Sequence, residues 1–330
     1  MQDWEWYHSG GPSKYIAPAW RFPCLECWGQ GPKQAPAQAN SRPVHARATC
    51  LGRPPTDLDL PMLAACLLAV GLAPQVEKLL ARSFADKSNR FETAMRATSY
   101  KLRDLWSAEG EEEEAYDMLA FLKQDLTYGE FDLASFEKLL AMVAPQEGEV
   151  FIDIGSGCGR LVCAAALLYP SLARSVGIEL LEDLNEIAVE RQKELAAAAA
   201  EGDPPQLMAP CEFICDQYTD ALPRILAPSA DGLAEASSAQ ALVGQSPPTC
   251  VAFAYATSFT SFRGILPDLS EALGDSLPAG SRVIIVDRLL ADDEAERWSF
   301  EELSILNVDN DNTYVGKSDA VIYKLRRDKD

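Results

Sequence analysis

The stretch from Val150 to Leu168 does most to limit what this chain can fold into. Val150-Phe-Ile-Asp-Ile154 reads as a buried strand and Leu161 to Leu168 as a helix, joined by Gly155-Ser-Gly157-Cys-Gly159-Arg160. Glycine lets the backbone turn tightly and approach a ligand with no Cβ in the way. At the end of a parallel strand such a loop faces the crevice in which α/β proteins bind ligands. Taken alone, the composition of this loop also suits an ordinary strand-to-helix turn.

The segments that follow repeat the same alternation. Arg174-Ser-Val-Gly-Ile-Glu179 reads as a second strand, followed by a long helix through Leu184, Ile187, Ala188 and Arg191 to Ala200. Cys211-Glu-Phe-Ile-Cys215, Cys250 to Tyr255 and Arg282 to Val286 read as further apolar strands. A helix carrying Ile265, Leu266, Leu269 and Leu273 is expected between the last two. Leu303–Leu306 and Ala320–Leu325 resemble a final strand pair, and Asp231 to Thr249 reads as a low-complexity loop. Such β-α alternation predicts an α/β fold with a doubly wound sheet and right-handed crossovers.

Ahead of this region the texture differs. Residues 58–124 read as a helical N-terminal region rich in Ala, Leu, Glu, Lys and Arg. The run Glu111 to Glu114 suits the opening of a helix, where negative charge meets the positive end of the dipole. Residues 1–57 are rich in Pro, Gly, Ala and Gln and read as a disordered tail, with an organelle leader as the alternative. Cys24, Cys27, His45 and Cys50 carry zinc-type donors, but their spacing matches no zinc framework, and no metal site is expected.

Composition removes several functions. With 29 Lys+Arg against 50 Asp+Glu, the net charge of -21 argues against general electrostatic binding of nucleic acid and suits a basic partner or plain solubility. The only two histidines, His8 and His45, lie in the N-terminal segment, which leaves no basis for a Ser-His-Asp hydrolase in the core. Nine cysteines without a regular framework suggest a reducing compartment. The longest apolar stretch, Leu60 to Ala73, is too short to span a bilayer and reads as a buried helix.

The loop chemistry narrows the ligand. Its spacing is G-x-G-x-G, and Arg160 stands where a dinucleotide fingerprint needs its last glycine, which disfavours NAD and FAD. There is no G-K-[ST], which excludes a nucleoside-triphosphate loop. Glu179 ends the second strand, where a carboxylate can accept from both ribose hydroxyls of an adenosine ligand. Asp216 ends the third strand, in reach of an adenine amino group. Cys158 reads as a small filler between glycines rather than a nucleophile.

These residues resemble the class I S-adenosylmethionine (SAM)-dependent methyltransferases, whose pattern is D-x-G-x-G-x-G after the first strand and an acid after each of the next two. The resemblance covers roughly residues 125–330. It implies a Rossmann-like sheet of seven strands whose last pair forms an antiparallel edge, with SAM as cofactor. A narrower resemblance is to the Dot-type (disruptor of telomeric silencing) histone lysine methyltransferases. Thr127-Tyr128-Gly129-Glu130-Phe131-Asp132-Leu133 is similar to their Y-G-E-x-x-F-D-L, lacking two residues between Glu and Phe. Phe151-Ile-Asp-Ile-Gly-Ser-Gly-Cys-Gly159 is similar to F-x-D-L-G-S-G-x-G, and Tyr314-Val-Gly316-Lys317 to W-T-G-K. By composition the Tyr128 segment also suits a helix-entry turn ahead of Phe136, Leu139 and Leu140.

The resemblance implies cofactor-binding roles for Tyr128, Glu130, Asp153, Gly155, Ser156, Gly157, Gly159, Arg160, Glu179 and Asp216. It implies protein-lysine methylation, with a protein substrate, histone among the candidates, and a nuclear or cytoplasmic location. Tyr255 and Phe259, just past the fourth strand, are the expected walls of an acceptor channel. Tyr323 is expected in the core. The family's N-N-F-x-F stretch is here Tyr255-Ala-Thr-Ser-Phe259, without asparagines. A methyltransferase of another acceptor (a non-histone protein, small molecule or nucleic-acid base) and a silent SAM-binding interaction protein are the alternatives.

Overall fold

In a computed structural model of the chain, the described residues are 74–109, 126–227, 249–293, 295–311 and 316–327. The expected N-terminal tail, the helix over Leu60–Ala73, the acidic run Glu111–Glu114, the loop from Asp231, and Tyr314 and Val315 of the last motif lie outside them. All described residues belong to one compact unit.

Two helices open the described region, α1 (Pro74–Ser83) and α2 (Lys87–Glu109). Next comes α3 (Leu133–Val143), whose N-cap Asp132 accepts from the Ser135 N–H at 2.8 Å. That cap satisfies a backbone donor which no helical carbonyl can reach. The expected helix entry after the Tyr128 segment therefore exists. The alternation follows as β1 (Val150–Ile154), α4 (Arg160–Leu168), β2 (Arg174–Glu179), α5 (Glu182–Ala200), β3 (Cys211–Cys215) and α6 (Tyr218–Leu226). It ends with β4 (Cys250–Tyr255), α7 (Pro267–Ser276), β5 (Arg282–Val286), β6 (Trp298–Asp309) and β7 (Lys317–Arg327).

The strands form one seven-stranded sheet in the order β3-β2-β1-β4-β5-β7-β6. The first five run parallel, and β7 pairs antiparallel with both β5 and β6. This is the doubly wound, seven-stranded arrangement with an antiparallel edge expected of a class I methyltransferase sheet. Strand alternation divides β1 between two cores. Phe151 packs with α3, α4 and Phe253 on one face, while Val150, Ile152 and Ile154 pack with α6 and α7 on the other. A third, smaller cluster joins Ala94 and Ala97 of α2 to Leu126, Leu181 and Leu184.

Three local expectations change. The helix expected to contain Ile265 and Leu266 begins at Pro267, because proline has no N–H to lose at a first helical position and its φ is already helical. Ile265 instead forms isolated bridges with Phe262 and Leu289. Helix α6 was not expected, since Pro223 inside it argues against a helix in sequence terms. The terminal strand pair is longer than its apolar centres, with a register shift between Glu302 and Ser304.

Candidate active site

The sheet reverses winding direction between β1 and β4, which are neighbours, and the loops at the C-terminal ends of these strands diverge there. A crevice is expected at such a switch point. The structure has a cavity of about 940 Å³ at this place. Of the residues singled out in the sequence, Tyr128, Gly155, Gly157, Glu179, Asp216, Tyr255 and Phe259 line it. Glu130, Asp153, Ser156 and Arg160 do not; together with Tyr128 and Tyr255 they surround an adjoining cavity of about 30 Å³, the volume scale of a single water. Gly159 lines neither.

The glycine loop is held to β2 through the N–H groups of Gly155 and Ser156, both donating to the Ile178 carbonyl at 2.9 Å. Gly155, Gly157 and Gly159 have φ of 77°, 53° and 79°. Their work is not the same. A Cβ on Gly157 would stand 2.7 Å from the Tyr128 ring, and one on Gly155 3.3 Å from Phe259. These two keep the loop open beneath the aromatic side chains. A Cβ on Gly159 would strike Phe213 at 2.6 Å and Ala188 at 2.9 Å. Gly159 is therefore a packing glycine, bringing the start of α4 close to β3 and α5.

Glu179 accepts from the Gly157 N–H at 2.8 Å through Oε2 and from the Leu181 N–H at 2.9 Å through Oε1. These bonds fix the carboxylate at the cavity wall and leave each oxygen a lone pair for a ligand hydroxyl. Burial raises its pKa, opposed by the same backbone donors. Asp216 takes the Gln217 N–H at 2.8 Å and pairs with Arg224 on the exposed side. Its own N–H donates to the Glu179 carbonyl at 3.0 Å, so the two acids share one wall.

Asp153 lies at the end of β1 with 3% of its surface exposed, and burial followed by repulsion from Glu179 raises its pKa to about 8. Ser156 is buried beside it, and its Oγ has no hydrogen-bond partner among the described residues. Cys158 is 2% exposed, with its thiol pKa pushed up by burial, as suits a filler rather than a nucleophile.

The Tyr128 segment forms the opposite wall. The Tyr128 hydroxyl donates to Glu130 Oε1 at 2.8 Å, with Cys158 Sγ 3.2 Å from the same hydroxyl. Burial first, then Cys158 and Glu130, push its ionisation upward, so it remains a phenol. Phe91 of α2 meets the Tyr128 ring edge-on, with centroids 5.0 Å apart, and also lines the cavity. Tyr255 packs on Phe131 at 5.3 Å, and its hydroxyl accepts from Asn310 Nδ2 at 2.9 Å. Tyr323 is buried in the core, 5% exposed. Phe91, Arg90 and Asn310 were not singled out in the sequence. Helical periodicity marks the α2 residues only as members of a helix, and Asn310 reads as a turn residue.

SAM fits these residues. The cavity has the size of a cofactor cleft, Gly155 and Gly157 line it without side chains, and Glu179 offers two lone pairs at the wall. The orphaned Ser156 Oγ adds a buried polar group at the loop. Glu179, Asp216, Tyr128, Gly155 and Gly157 all line this one cavity and are the residues that could hold the cofactor. Among the described residues no cluster of three or more His, Cys, Asp or Glu could hold a metal ion, and no helix is long and apolar enough to cross a membrane.

Residues 119–201 match the family described as "Histone methylation protein DOT1", a stretch that runs from before the Tyr128 segment through the glycine loop to the end of α5. No match was found among curated proteins. Among solved structures, an RNA methyltransferase from Salinibacter ruber in complex with S-adenosyl-L-homocysteine is 21% identical, covering 59% of this chain and 92% of its own, with a TM-score of 0.31. The rRNA methyltransferase aviRa from Streptomyces viridochromogenes is 19% identical, covering 60% and 86%, with a TM-score of 0.37. YcgJ from Bacillus subtilis is 11% identical, covering 59% and 99%, with a TM-score of 0.35. The sheet order, the glycine loop and the matched family together give a chain of class I SAM-dependent methyltransferase type that resembles the Dot-type enzymes.

Proposed function

We propose that this SAM-dependent methyltransferase transfers its methyl group to a lysine side chain of a protein. The observation that carries the reading is the aromatic wall around the loop. Tyr128 stands over Gly157 and Phe259 over Gly155, while the Tyr255 ring lies 3.2 Å from where a Cβ of Gly129 would be. These side chains line the same cavity as Glu179 and so bring an apolar channel to the cofactor.

SAM, when bound, supplies an electrophilic methyl group on a sulfonium. What the chain must do is deliver a neutral amine in line with that group and exclude water. The surroundings of Tyr128, Tyr255 and Phe259 favour a neutral amine over an ammonium by desolvation, which lowers a lysine pKa. The acceptor's proton leaves to solvent on entry. The further rim of the cavity carries Asp268, Glu271 and Asp275 of α7, and the whole chain has a net charge of -21. These acids, of which Asp275 is paired with Arg297, and the overall charge favour approach of a lysine-rich polypeptide over a nucleic acid.

The test is incubation of the full chain with methyl-labelled SAM and three acceptors: core histones, the same histones with lysines acetylated beforehand, and total RNA. Label in untreated histones that is lost on lysine blocking supports the reading. Label in RNA, or label that survives lysine blocking, would overturn lysine as the acceptor.

A further inference from the structure

Arg90 of α2 is 2% exposed, a burial that a guanidinium tolerates only when its donors are taken up. Its Nε and Nη2 both reach Glu130 Oε1, at 2.8 and 2.7 Å. Its Nη1 donates to the Phe84 carbonyl at 2.9 Å and to Asp86 Oδ1 at 3.0 Å. The other oxygen of Asp86 accepts from Arg191 of α5 at 2.6 Å. The same Glu130 Oε1 accepts the Tyr128 hydroxyl, and Arg160 at the start of α4 approaches Oε2 at 3.7 Å and donates to the Phe131 carbonyl. One buried ionic network thus joins the helical N-terminal region, the Tyr128-Gly129-Glu130 wall, the glycine loop and α5.

We infer that Arg90 is a positioning residue for the cofactor site: by neutralising Glu130 it holds the Tyr128 ring over Gly157 at the separation the cavity needs. Several observations converge on this. Glu130 does not line the main cavity, so its carboxylate works through Tyr128 rather than from the wall. The next residue of α2, Phe91, meets the Tyr128 ring edge-on with centroids 5.0 Å apart. The Tyr128 ring and the Gly157 backbone are close enough that no side chain fits between them. A shift of Glu130 therefore moves a cavity wall directly. In this arrangement the N-terminal helices are part of the cofactor site rather than an appendage to it.

The inference rests on SAM binding to this cavity, and the experiment separates the two. SAM affinity is measured by calorimetry on the full chain, well below the melting midpoint, for wild type, Arg90→Lys, Arg90→Met, Glu130→Gln and the Arg90→Met/Glu130→Gln double variant. Hydrogen exchange is followed over residues 126–131 in the same proteins. Arg90→Met takes the closest cation from the buried Glu130 and leaves it only Arg160, 3.7 Å from Oε2, and the Tyr128 hydroxyl, and affinity is expected to fall about tenfold or more. The double variant removes both charges and is expected to bind more tightly than Arg90→Met alone, a rescue that general loss of stability would not produce. Arg90→Lys is expected to be intermediate and serves if Arg90→Met does not fold. Affinity within about twofold of wild type in both Arg90 variants, or single effects that simply multiply in the double, would overturn the inference. If the wild type binds no SAM, the cofactor reading fails. Exchange over residues 126–131 then decides the positioning role: faster exchange in the Arg90 variants supports it, and unchanged protection rejects it.

Discussion

Asn310 Nδ2 donates to the Tyr255 hydroxyl at 2.9 Å, and the direction of that bond is set by a carboxylate two partners away. Asp287 Oδ2 accepts from the hydroxyls of Ser318 at 2.9 Å and Thr257 at 2.6 Å. Because Ser318 gives its proton to Asp287, it must accept from Asn310, which it does at 2.7 Å. The Asn310 amide nitrogen then faces Tyr255, and the phenol oxygen is an acceptor there. The turn after β6 and the start of β7 in this way hold the aromatic wall at the end of β4.

Asn310 is fully buried, so the loss of its partners is costly. Tyr255→Phe is expected to lower stability by about 1 kcal/mol and Asn310→Ala by about 2 kcal/mol. The double variant should cost little more than Asn310→Ala alone, because both changes cut the same bond. Chemical denaturation of the three proteins checks this; additive losses would mean that the two groups are independent.

Glu179→Gln tests the cofactor wall. Glutamine has one acceptor oxygen where Gly157 and Leu181 supply two N–H donors, so one of them faces an amide nitrogen. SAM affinity is expected to fall by about tenfold to a hundredfold with the fold retained. Calorimetry together with circular dichroism checks both halves of the statement.

Gly157→Ala and Gly159→Ala should separate binding from stability. The new methyl at position 157 meets the Tyr128 ring, whereas at position 159 it meets Phe213 and Ala188 inside the packed layer. Gly159→Ala is expected to cost about 2–3 kcal/mol of stability. Gly157→Ala is expected to cost less stability and to weaken SAM binding more. Equal effects of the two on melting and on affinity would contradict the division of roles.

Asp153 makes stability pH-dependent. Its pKa is raised to about 8 in the folded chain, so the folded state holds a proton that the unfolded chain releases near its ordinary value of 3.8. With the unfolded state binding fewer protons, stability falls as pH rises between these two values and levels off above the folded one. Asp153→Asn cannot ionise and is expected to flatten that slope. Urea denaturation of the two ligand-free proteins between pH 5 and about 8.5 measures it; parallel curves would show that Asp153 is not the source.

The helices and strands that surround the glycine loop were legible because their signals are local. Val150–Ile154 and Arg174–Glu179 read as strands bounded by turn residues, and the long helix to Ala200 is rich in Ala and Glu with no Pro or Gly to interrupt it. Helix α6 was not legible, because Pro223 conflicts with a helix and only its packing, with Ala221, Leu222 and Ile225 buried, outweighs that. At the site, Glu179 and Asp216 could be found from their positions at strand ends. Arg90 could not, since its partner Glu130 lies 40 residues away and nothing in a helical period marks a buried arginine.

By itself the sequence determined the strands, most of the helices between them and the loop that opens at the switch point of the sheet. Backbone conformation and hydrophobic periodicity act over a few residues, and both are written in residue type. Only the tertiary structure decided that Gly157 lines the cavity against the Tyr128 ring while Gly159 packs against Phe213 and Ala188 away from it. It decided equally that α2 and the turn after β6 brace the aromatic wall. Contacts between segments far apart in the chain depend on how whole layers pack, and no local pattern encodes a partner across that distance.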